Sequence, residues 1–390
     1  MRVALFTLGG TIASTSAPGP ARPAESLTAA GGGVTPRLTG ADLLAAVPGL
    51  DAVGADLDVH DFRRIPSSSL AISDVIALAA AIRQQVAAGA AGVVVTQGTD
   101  TMEETAFLLD LLWDGDAPVV VTGAMRNPTL AGPDGPANVL AAAHVAASPA
   151  ARGRGCLVVF ADEIHAARYV RKSHTTSVAA FTSPLAGPLG LVTEGRVVML
   201  ASGPARLNIP APVAASNVRT ALVTMVLGDD GELLRAAAGR FEGLVVAGFG
   251  AGHAPAAVAA DLGALAARIP VVLASRTGTG MVLAHTYAYP GSERDLRRRG
   301  LIGAGFLDPL KARILLHVLL AAGAGRAEIA AAFRTVSADP GSPADAVLPD
   351  RPPAGQPAAA PLAGHPPGPP AGHPPGPPAS LPAVPREQRR

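Results

Sequence analysis

The sequence predicts an α/β protein with a larger N-terminal parallel-sheet domain, a smaller C-terminal α/β domain and a disordered proline-rich tail. Three observations predict this fold class. Short apolar runs alternate with segments of helical length, which is the pattern of parallel α/β architecture. The alternation pauses at a proline-containing stretch and restarts after Asn217. The last fifty or so residues hold 17 of the 37 prolines, so they cannot bury a core of their own.

The first half of the chain supplies the larger sheet. Val3–Leu8 is a short apolar run that ends at Gly9 and Gly10, which predicts a buried strand entering a tight turn. Acidic Glu103 and Glu104 open a later helix, where they suit the positive end of the helix dipole. The other predicted strands are Gly92–Thr96, Pro118–Thr122 and Gly155–Phe160, and the predicted helices are Ser73–Ala88, Met102–Trp113 and Ala137–Ala147.

The second half repeats the alternation on a smaller scale. Leu191–Pro212 contains three prolines and predicts a linker between the halves. The domains are therefore expected at 1–190 and 213–337, with the linker at 191–212 and the tail at 338–390. The predicted C-terminal strands are Ala221–Leu227, Gly243–Gly248 and Pro270–Ala274, and the helices are Ala254–Arg268, Pro309–Gly323 and Ala327–Val336.

The tail repeats one octapeptide. GHPPGPPA occupies residues 364–371 and returns letter for letter at 372–379. Its glycines recur at every fourth position rather than every third, which excludes a collagen triple helix. The composition predicts solvated polyproline II and coil, and docking to a proline-recognition module is the functional alternative.

The composition excludes several classes of function. The 31 basic and 30 acidic residues nearly cancel, which argues against binding to nucleic acid or to an anionic membrane. A single cysteine, Cys156, excludes a disulfide framework and a four-cysteine zinc site. No apolar stretch reaches the roughly 20 residues of a membrane span, and the N-terminus lacks the apolar region of a secretory signal. We therefore expect a cytoplasmic protein without nucleic-acid or membrane partners.

Three turns that follow predicted strands carry the polar residues of interest. Ligands of an open parallel sheet bind at the carboxyl ends of its strands. Thr11 follows a glycine pair in the first turn, Thr99 and Asp100 fill the second, and Thr122–Arg126 forms the third. A threonine hydroxyl is a weak nucleophile that needs a base, and a desolvated lysine can be that base. A threonine bonded to an Asp–Lys pair can therefore act as an activating unit.

Each of these features also has an interpretation without function. A Gly-Gly-Thr sequence after a strand is often only a turn. Thr99 and Asp100 are good helix caps, and Arg168, Arg171 and Lys172 suit a solvated basic loop. The combination of hydroxyls, a carboxylate and a lysine favours the functional interpretation.

Two stretches of the chain resemble the bacterial-type L-asparaginase/glutaminase family. One is TLGGTIAS at residues 7–14, and the other is VVVTQGTDTMEETAFLLDLL at 93–112. PVVVTGAMR at 118–126 and GPDGPANVLAA at 132–142 fit the same family. The resemblance covers about residues 1–337, and the second stretch is long enough to be highly specific.

The resemblance implies a reaction and a set of catalytic residues. It implies two α/β domains that hydrolyse the side-chain amide of L-asparagine to L-aspartate and ammonia, without a metal or an organic cofactor. L-Glutamine is the alternative substrate, and a homodimer or homotetramer is the expected assembly. Thr11 matches the family's nucleophile, and the second catalytic cluster falls on Thr99, Asp100 and Lys172.

The resemblance also implies substrate-binding residues. The family's binding serine falls on Ser68, with Ser69 beside it, although three consecutive serines permit a slip of one residue. Thr99 and Asp100 are expected to hold the charged ends of the substrate. Backbone N–H groups near Thr11 and Ala124 are candidate donors to the oxyanion.

The chain departs from the family at two places. The family has a tyrosine in the loop after the first motif, and Thr15–Thr39 contains none. The family also often supplies a carboxylate from a neighbouring subunit, yet Ser275–Gly291 has no Asp or Glu, and Glu293 lies just beyond. His253 is a candidate for reaching a neighbour's site. A non-catalytic amino-acid sensor and the amidase subunit of a tRNA-dependent amidotransferase are therefore the alternative hypotheses.

Overall fold

The computed structural model describes residues 1–16, 34–36, 38–210 and 218–336. Two of the predictions concern residues outside these ranges. They are the predictions for the proline-rich tail and for most of the loop after the first glycine turn. No helix within the described ranges is both long enough and apolar enough to cross a membrane.

Sixteen strands and nine α-helices are formed by the described residues. The strands are β1 Arg2–Thr7, β2 Ser14–Ser16, β3 Val34–Pro36, β4 Asp56–Asp61, β5 Gly92–Thr96, β6 Val119–Thr122, β7 Cys156–Phe160, β8 Glu163–Ala166, β9 Arg171–Lys172, β10 Phe181–Thr182, β11 Gly190–Thr193, β12 Arg196–Met199, β13 Thr220–Thr224, β14 Gly243–Gly248, β15 Val271–Ser275 and β16 Ile302–Gly303. The helices are α1 Gly40–Ala45, α2 Ile72–Ala87, α3 Met102–Leu112, α4 Gly135–Ala147, α5 Glu232–Ala237, α6 Ala259–Ala266, α7 Glu293–Arg298, α8 Pro309–Ala321 and α9 Arg326–Val336.

The larger sheet has eight strands in the order β12-β11-β8-β7-β6-β5-β1-β4. Its five strands from β7 to β4 run parallel, which confirms the predicted parallel sheet. The three strands at the other edge pair antiparallel, so the sheet is mixed. The smaller sheet has the order β13-β14-β15-β16 and is parallel throughout.

The predicted linker overlaps the larger sheet. We expected the linker to begin at Leu191, but β11 and β12 form a hairpin at the edge of that sheet. Glu194 and Gly195 make its turn, with φ values of 51° and 69°. Two residues at positive φ suit the right-handed twist of a tight hairpin. The connection to the second sheet therefore begins after Met199.

One predicted helix is shorter than expected. The sequence predicts a helix over Ala254–Arg268, but α6 covers only Ala259–Ala266. A 3-10 turn at Ala256–Val258 precedes it. Pro255 explains the difference, because proline cannot donate a backbone hydrogen bond inside a helix and disfavours the helical conformation in the residue before it.

The core of the larger sheet has two layers. The side chains of α2 and α3 cover one face, where Val93, Val95 and Val119 are buried. Helix α4 covers the other face, over Val94 and Val120. Coverage on both faces explains why the central strands are nearly continuous runs of valine. Helix α8, from the second half of the chain, packs on α3 and joins the first of these clusters.

A buried histidine in β8 gives the fold a pH-dependent stability. His165 is fully buried, and its Nδ1 lies 3.0 Å from Ser183 Oγ. Burial lowers the pKa of His165 from 6.5 to about 4. Glu163 Oε2 lies 3.3 Å from Nε2, but this carboxylate is substantially exposed to water, so it offsets little of the burial.

We expect the free energy of unfolding to decrease as the pH falls through the interval between those two pKa values. In that interval the unfolded chain binds a proton at His165 that the folded chain excludes, so acid favours unfolding. One proton over this interval corresponds to about 3 kcal/mol. Urea unfolding of the native chain and of His165→Gln measures it, and the variant should lose less stability on acidification. An identical decline in both proteins would contradict this assignment.

Candidate active site

The three predicted turns meet at one edge of the larger sheet. Thr7 of β1 lies opposite Thr96 of β5, and Thr96 lies opposite Thr122 of β6. The strands are parallel and in register, so the turns that follow them leave the sheet side by side. Leu8 N donates to Thr96 O at 2.9 Å, and Gln97 N donates to Thr122 O at 3.0 Å, which extends the pairing into the turns.

The first and second turns touch through glycine. Gly10 has a φ of 87°, and a Cβ placed on it would lie 2.1 Å from Gly98 N. Any side chain at Gly10 would therefore push the two turns apart, and the positive φ would add strain. This contact places Thr11, the next residue, against the turn that carries Thr99. Ser14 Oγ donates to Gly10 O at 2.7 Å and closes the first turn.

Lys172 joins the two polar residues of the second turn. Its Nζ donates to Thr99 Oγ1 at 2.9 Å and to Asp100 Oδ1 at 2.7 Å. The lysine side chain is 16% exposed, whereas the Asp100 side chain is 66% exposed. The carboxylate therefore reaches solvent while the amine lies under it. We call Thr99, Asp100 and Lys172 the lysine cluster.

A buried glutamate positions the backbone of Lys172. Glu103 Oε2 accepts from Lys172 N at 2.7 Å, and Glu103 is 6% exposed. Burial raises the pKa of Glu103, and the nearby Lys311 opposes that effect. From the sequence, this glutamate was interpreted only as a favourable charge at the start of α3. Nothing in its sequence position signals a partner 69 residues away.

Lys311 supports the same strand from the second half of the chain. It is fully buried in α8, where its Nζ donates to Val170 O and to Asp308 Oδ2 at 3.1 Å. Asp308 also caps α8 by accepting from the backbone of Leu310 and Lys311. Helix α8 thus fixes the chain two residues before Lys172.

The structure brings Ser67, rather than Ser68 or Ser69, to the second turn. Ser67 is 3% exposed, and its Oγ accepts from Asp100 N at 3.2 Å. Its carbonyl accepts from Thr101 Oγ1 at 3.0 Å. Ser68 and Ser69, to which the resemblance assigned substrate binding, are exposed. The run of three serines concealed this, because only burial distinguishes them.

The third turn packs on the first and is shaped by two side chains. Asp134 accepts from the backbone N–H groups of Met125 and Arg126, and Asn138 donates to Gly123 O. Buried Ala124 and Ile12 share a small apolar cluster. This packing keeps Ala124 next to the turn that carries Thr11.

Two backbone N–H groups near this contact have no acceptor among the described residues. They belong to Thr11, at the start of a 3-10 turn, and to buried Ala124. Ala124 is buried and Thr11 is half-exposed, so water or a ligand is needed to accept from these groups. Their position suits stabilisation of a developing oxyanion. Asp100 and Lys172 of the lysine cluster, with Ser173–Thr175, line a cleft of about 390 Å³.

A second polar cluster surrounds His253 in the smaller sheet's domain. His253 Nε2 lies 3.2 Å from Glu293 Oε2, and its Nδ1 lies 3.0 Å from Tyr289 OH. Burial raises the pKa of Glu293, but bonds from the backbone N–H groups of Tyr287 and Thr286 outweigh it and hold the pKa low. His253 was a candidate for reaching a neighbouring subunit, and within the chain it is already bonded to Glu293.

Metal binding has no evident site in the described ranges. No group of three or more His, Cys, Asp or Glu side chains is arranged there to hold an ion. Cys156 is buried in β7, and burial raises the pKa of its thiol well above the ordinary value.

Family models match most of the chain. The family described as "Asparaginase, N-terminal" matches residues 2–204, and "Glutaminase/Asparaginase C-terminal domain" matches residues 219–333. A probable L-asparaginase of Deinococcus radiodurans is 39% identical over 335 residues, which are 85% of this chain and 97% of that protein. An L-asparaginase of Bacillus licheniformis is 35% identical over 328 residues, covering 82% of this chain and 95% of that protein.

A solved structure agrees as well. The crystal structure of a probable cytoplasmic L-asparaginase from Campylobacter jejuni superposes with a TM-score of 0.73 at 30% identity, covering 85% of this chain and 99% of the other. Both domains match family descriptions, and the relatives are matched over nearly their whole length. The chain therefore belongs to the bacterial-type L-asparaginase family.

Proposed function

We propose that this chain hydrolyses the side-chain amide of L-asparagine to L-aspartate and ammonia. The observation that carries the proposal is the lysine cluster, in which one amine bonds to both a hydroxyl and a carboxylate beside the turn that carries Thr11. Such an arrangement suits a reaction that needs an activated threonine or water near a charged anchor. The names of the relatives support the same substrate.

In the proposed mechanism the charged ends of the substrate are held by the second turn. Asp100 pairs with the α-ammonium, and its high exposure leaves its carboxylate accessible to that group. Ser67 and the backbone N–H groups near Thr99 hold the α-carboxylate. Holding both ends orients the side-chain amide towards Thr11, which lowers the entropic cost of attack.

Thr11 then attacks the amide carbon and forms an acyl-enzyme. The backbone N–H groups of Thr11 and Ala124 stabilise the oxyanion, and ammonia leaves after accepting a proton. Lys172, through Thr99, supplies the base that removes the proton from Thr11 or from the water that opens the ester. Thr99 Oγ1 is within hydrogen-bonding distance of Nζ, as such a relay requires.

Ammonia release from L-asparagine, D-asparagine and L-glutamine tests the proposal. We expect turnover of L-asparagine, with L-glutamine the alternative substrate that the same anchors accept. Binding of L-asparagine without ammonia release would instead indicate an amino-acid sensor.

The serine assignment gives a matched pair of variants. Ser67→Ala should raise the KM for L-asparagine by about tenfold, because it removes a hydroxyl that bonds the second turn and faces the proposed carboxylate position. Ser68→Ala, at an exposed position one residue away, should leave the KM unchanged. Steady-state kinetics of both variants measure this. A larger effect in Ser68→Ala would restore the original register.

We also propose a homodimer or homotetramer and a cytoplasmic location. The Campylobacter jejuni neighbour, a probable cytoplasmic L-asparaginase, supports the location. Light scattering on the purified full chain and fractionation of the source cells test these two statements.

A further inference from the structure

A second cavity lies on the other side of the Thr99–Thr101 turn from the lysine cluster. It has a volume of about 380 Å³ and is bordered by the starts of α2 and α3 and by one face of α8. Thr101 lines this cavity, whereas Asp100 and Lys172 line the cleft described above. The two openings are therefore separate, and volumes of this size commonly hold small molecules.

Two opposite charges line the cavity without pairing to each other. Glu104 and Arg313 both line it, yet no ion pair joins them. Among the described residues, the Glu104 carboxylate has no hydrogen-bond donor or ion-pair partner. Burial raises the pKa of Glu104, and the positive charge of Arg313 opposes that effect.

The guanidinium of Arg313 is held by only one of its nitrogens. Its Nε donates to Thr220 O at 3.1 Å, and within the described ranges its Nη atoms make no further hydrogen bond. Two Nη donors in a fixed plane match the geometry of a carboxylate. A half-buried carboxylate without a partner, such as that of Glu104, is stabilised by a cation. The pair of residues therefore suits a ligand that carries both charges.

The rest of the lining combines apolar side chains with the polar residues Ser73, Thr101, Thr105 and His317. Ile72, Val75, Leu108 and Ile314 line the cavity, and Ser73 lies exposed at the start of α2. An aliphatic group placed against these side chains would be removed from water, which contributes about 0.8 kcal/mol per buried CH₂.

We propose that this cavity binds a small zwitterionic amino acid with an aliphatic side chain, at a site separate from the lysine cluster. Arg313 holds the α-carboxylate, Glu104 holds the α-ammonium, and the apolar wall receives the side chain. This site is distinct from the proposed asparagine site, because it contains none of the residues assigned to hydrolysis.

Calorimetric titration of the full-length protein with L-leucine tests this proposal. We expect binding of L-leucine, and binding weakened about tenfold or more for 4-methylpentanoate, which lacks the ammonium, and for 3-methylbutylamine, which lacks the carboxylate. Equal affinity for either analogue, or the absence of any heat of binding with L-leucine, would overturn the proposal.

Matched variants locate the site. Glu104→Gln should weaken L-leucine binding about tenfold, whereas Asp100→Asn, which alters the lysine cluster, should leave it unchanged. Arg313→Met provides a second charge variant. Ser73→Trp, at an exposed position, fills the mouth of the cavity and keeps the test decisive if a charge variant fails to fold. Binding that survives Ser73→Trp, or that is lost in Asp100→Asn, would contradict this location.

Discussion

Thr11→Ala should abolish hydrolysis of L-asparagine, with a fall in kcat of about 10³-fold or more. The alanine lacks the oxygen that forms the ester, and the nearby hydroxyl of Ser14 is bonded to Gly10 O. The substitution removes only Oγ1 and Cγ2 at a half-exposed position, so the fold should survive. Initial rates of ammonia release measure the effect.

Thr11→Ser is the matched control for this variant. It keeps the hydroxyl and removes only a methyl group, so it should retain far more activity than Thr11→Ala. A thermal unfolding curve for each variant shows whether the fold is preserved. If a folded Thr11→Ala protein released ammonia at the native rate, Thr11 would not be the nucleophile.

Lys172→Met should lower kcat by about 10²- to 10⁴-fold, because the variant loses the amine that bonds both Thr99 and Asp100. Methionine keeps the apolar length of the side chain, so packing under Asp100 changes little. The backbone bond from Lys172 N to Glu103 is independent of the side chain and remains. Steady-state ammonia release again gives the measurement.

Arg171→Met is the control for the loss of a neighbouring positive charge. Arg171 precedes Lys172 in β9, but its Nη1 donates to Gly278 O at 2.5 Å and does not contact the lysine cluster. The control should retain most of the activity. Equal losses in both variants would mean that net charge, rather than the bonded amine, matters.

The three turns could be located from the sequence because each of them directly follows its own strand. Thr11 and Thr99 each follow a short valine-rich or apolar strand, and parallel strands in register bring such turns together. Gly10 was also informative, since two adjacent glycines after a strand indicate a tight turn in which backbones can approach closely. In the structure, the backbone of Gly10 lies directly against that of Gly98.

The supporting residues could not be predicted because their partners are distant in sequence. Glu103 reaches the backbone of Lys172, and Lys311 reaches the carbonyl of Val170, 141 residues away. From the sequence, both residues could equally be charged side chains on the protein surface. Only the fold shows that they are buried. Ser67 illustrates the same limit at short range, because three identical residues differ only in exposure.

The predicted linker overlaps the larger sheet for a different reason. The prolines after Met199 led us to begin the predicted linker at Leu191. Strands β11 and β12 instead form a hairpin, and Glu194 and Gly195 make its turn. Antiparallel edge strands are short and partly polar, so their periodicity is weak.

Trapping the acyl-enzyme would show directly whether Thr11 is the nucleophile. The native enzyme would be mixed with L-asparagine, quenched in acid during turnover, digested and analysed by mass spectrometry. We expect an aspartyl ester on the peptide that contains Thr11. An ester on the peptide that contains Thr99 instead would contradict it.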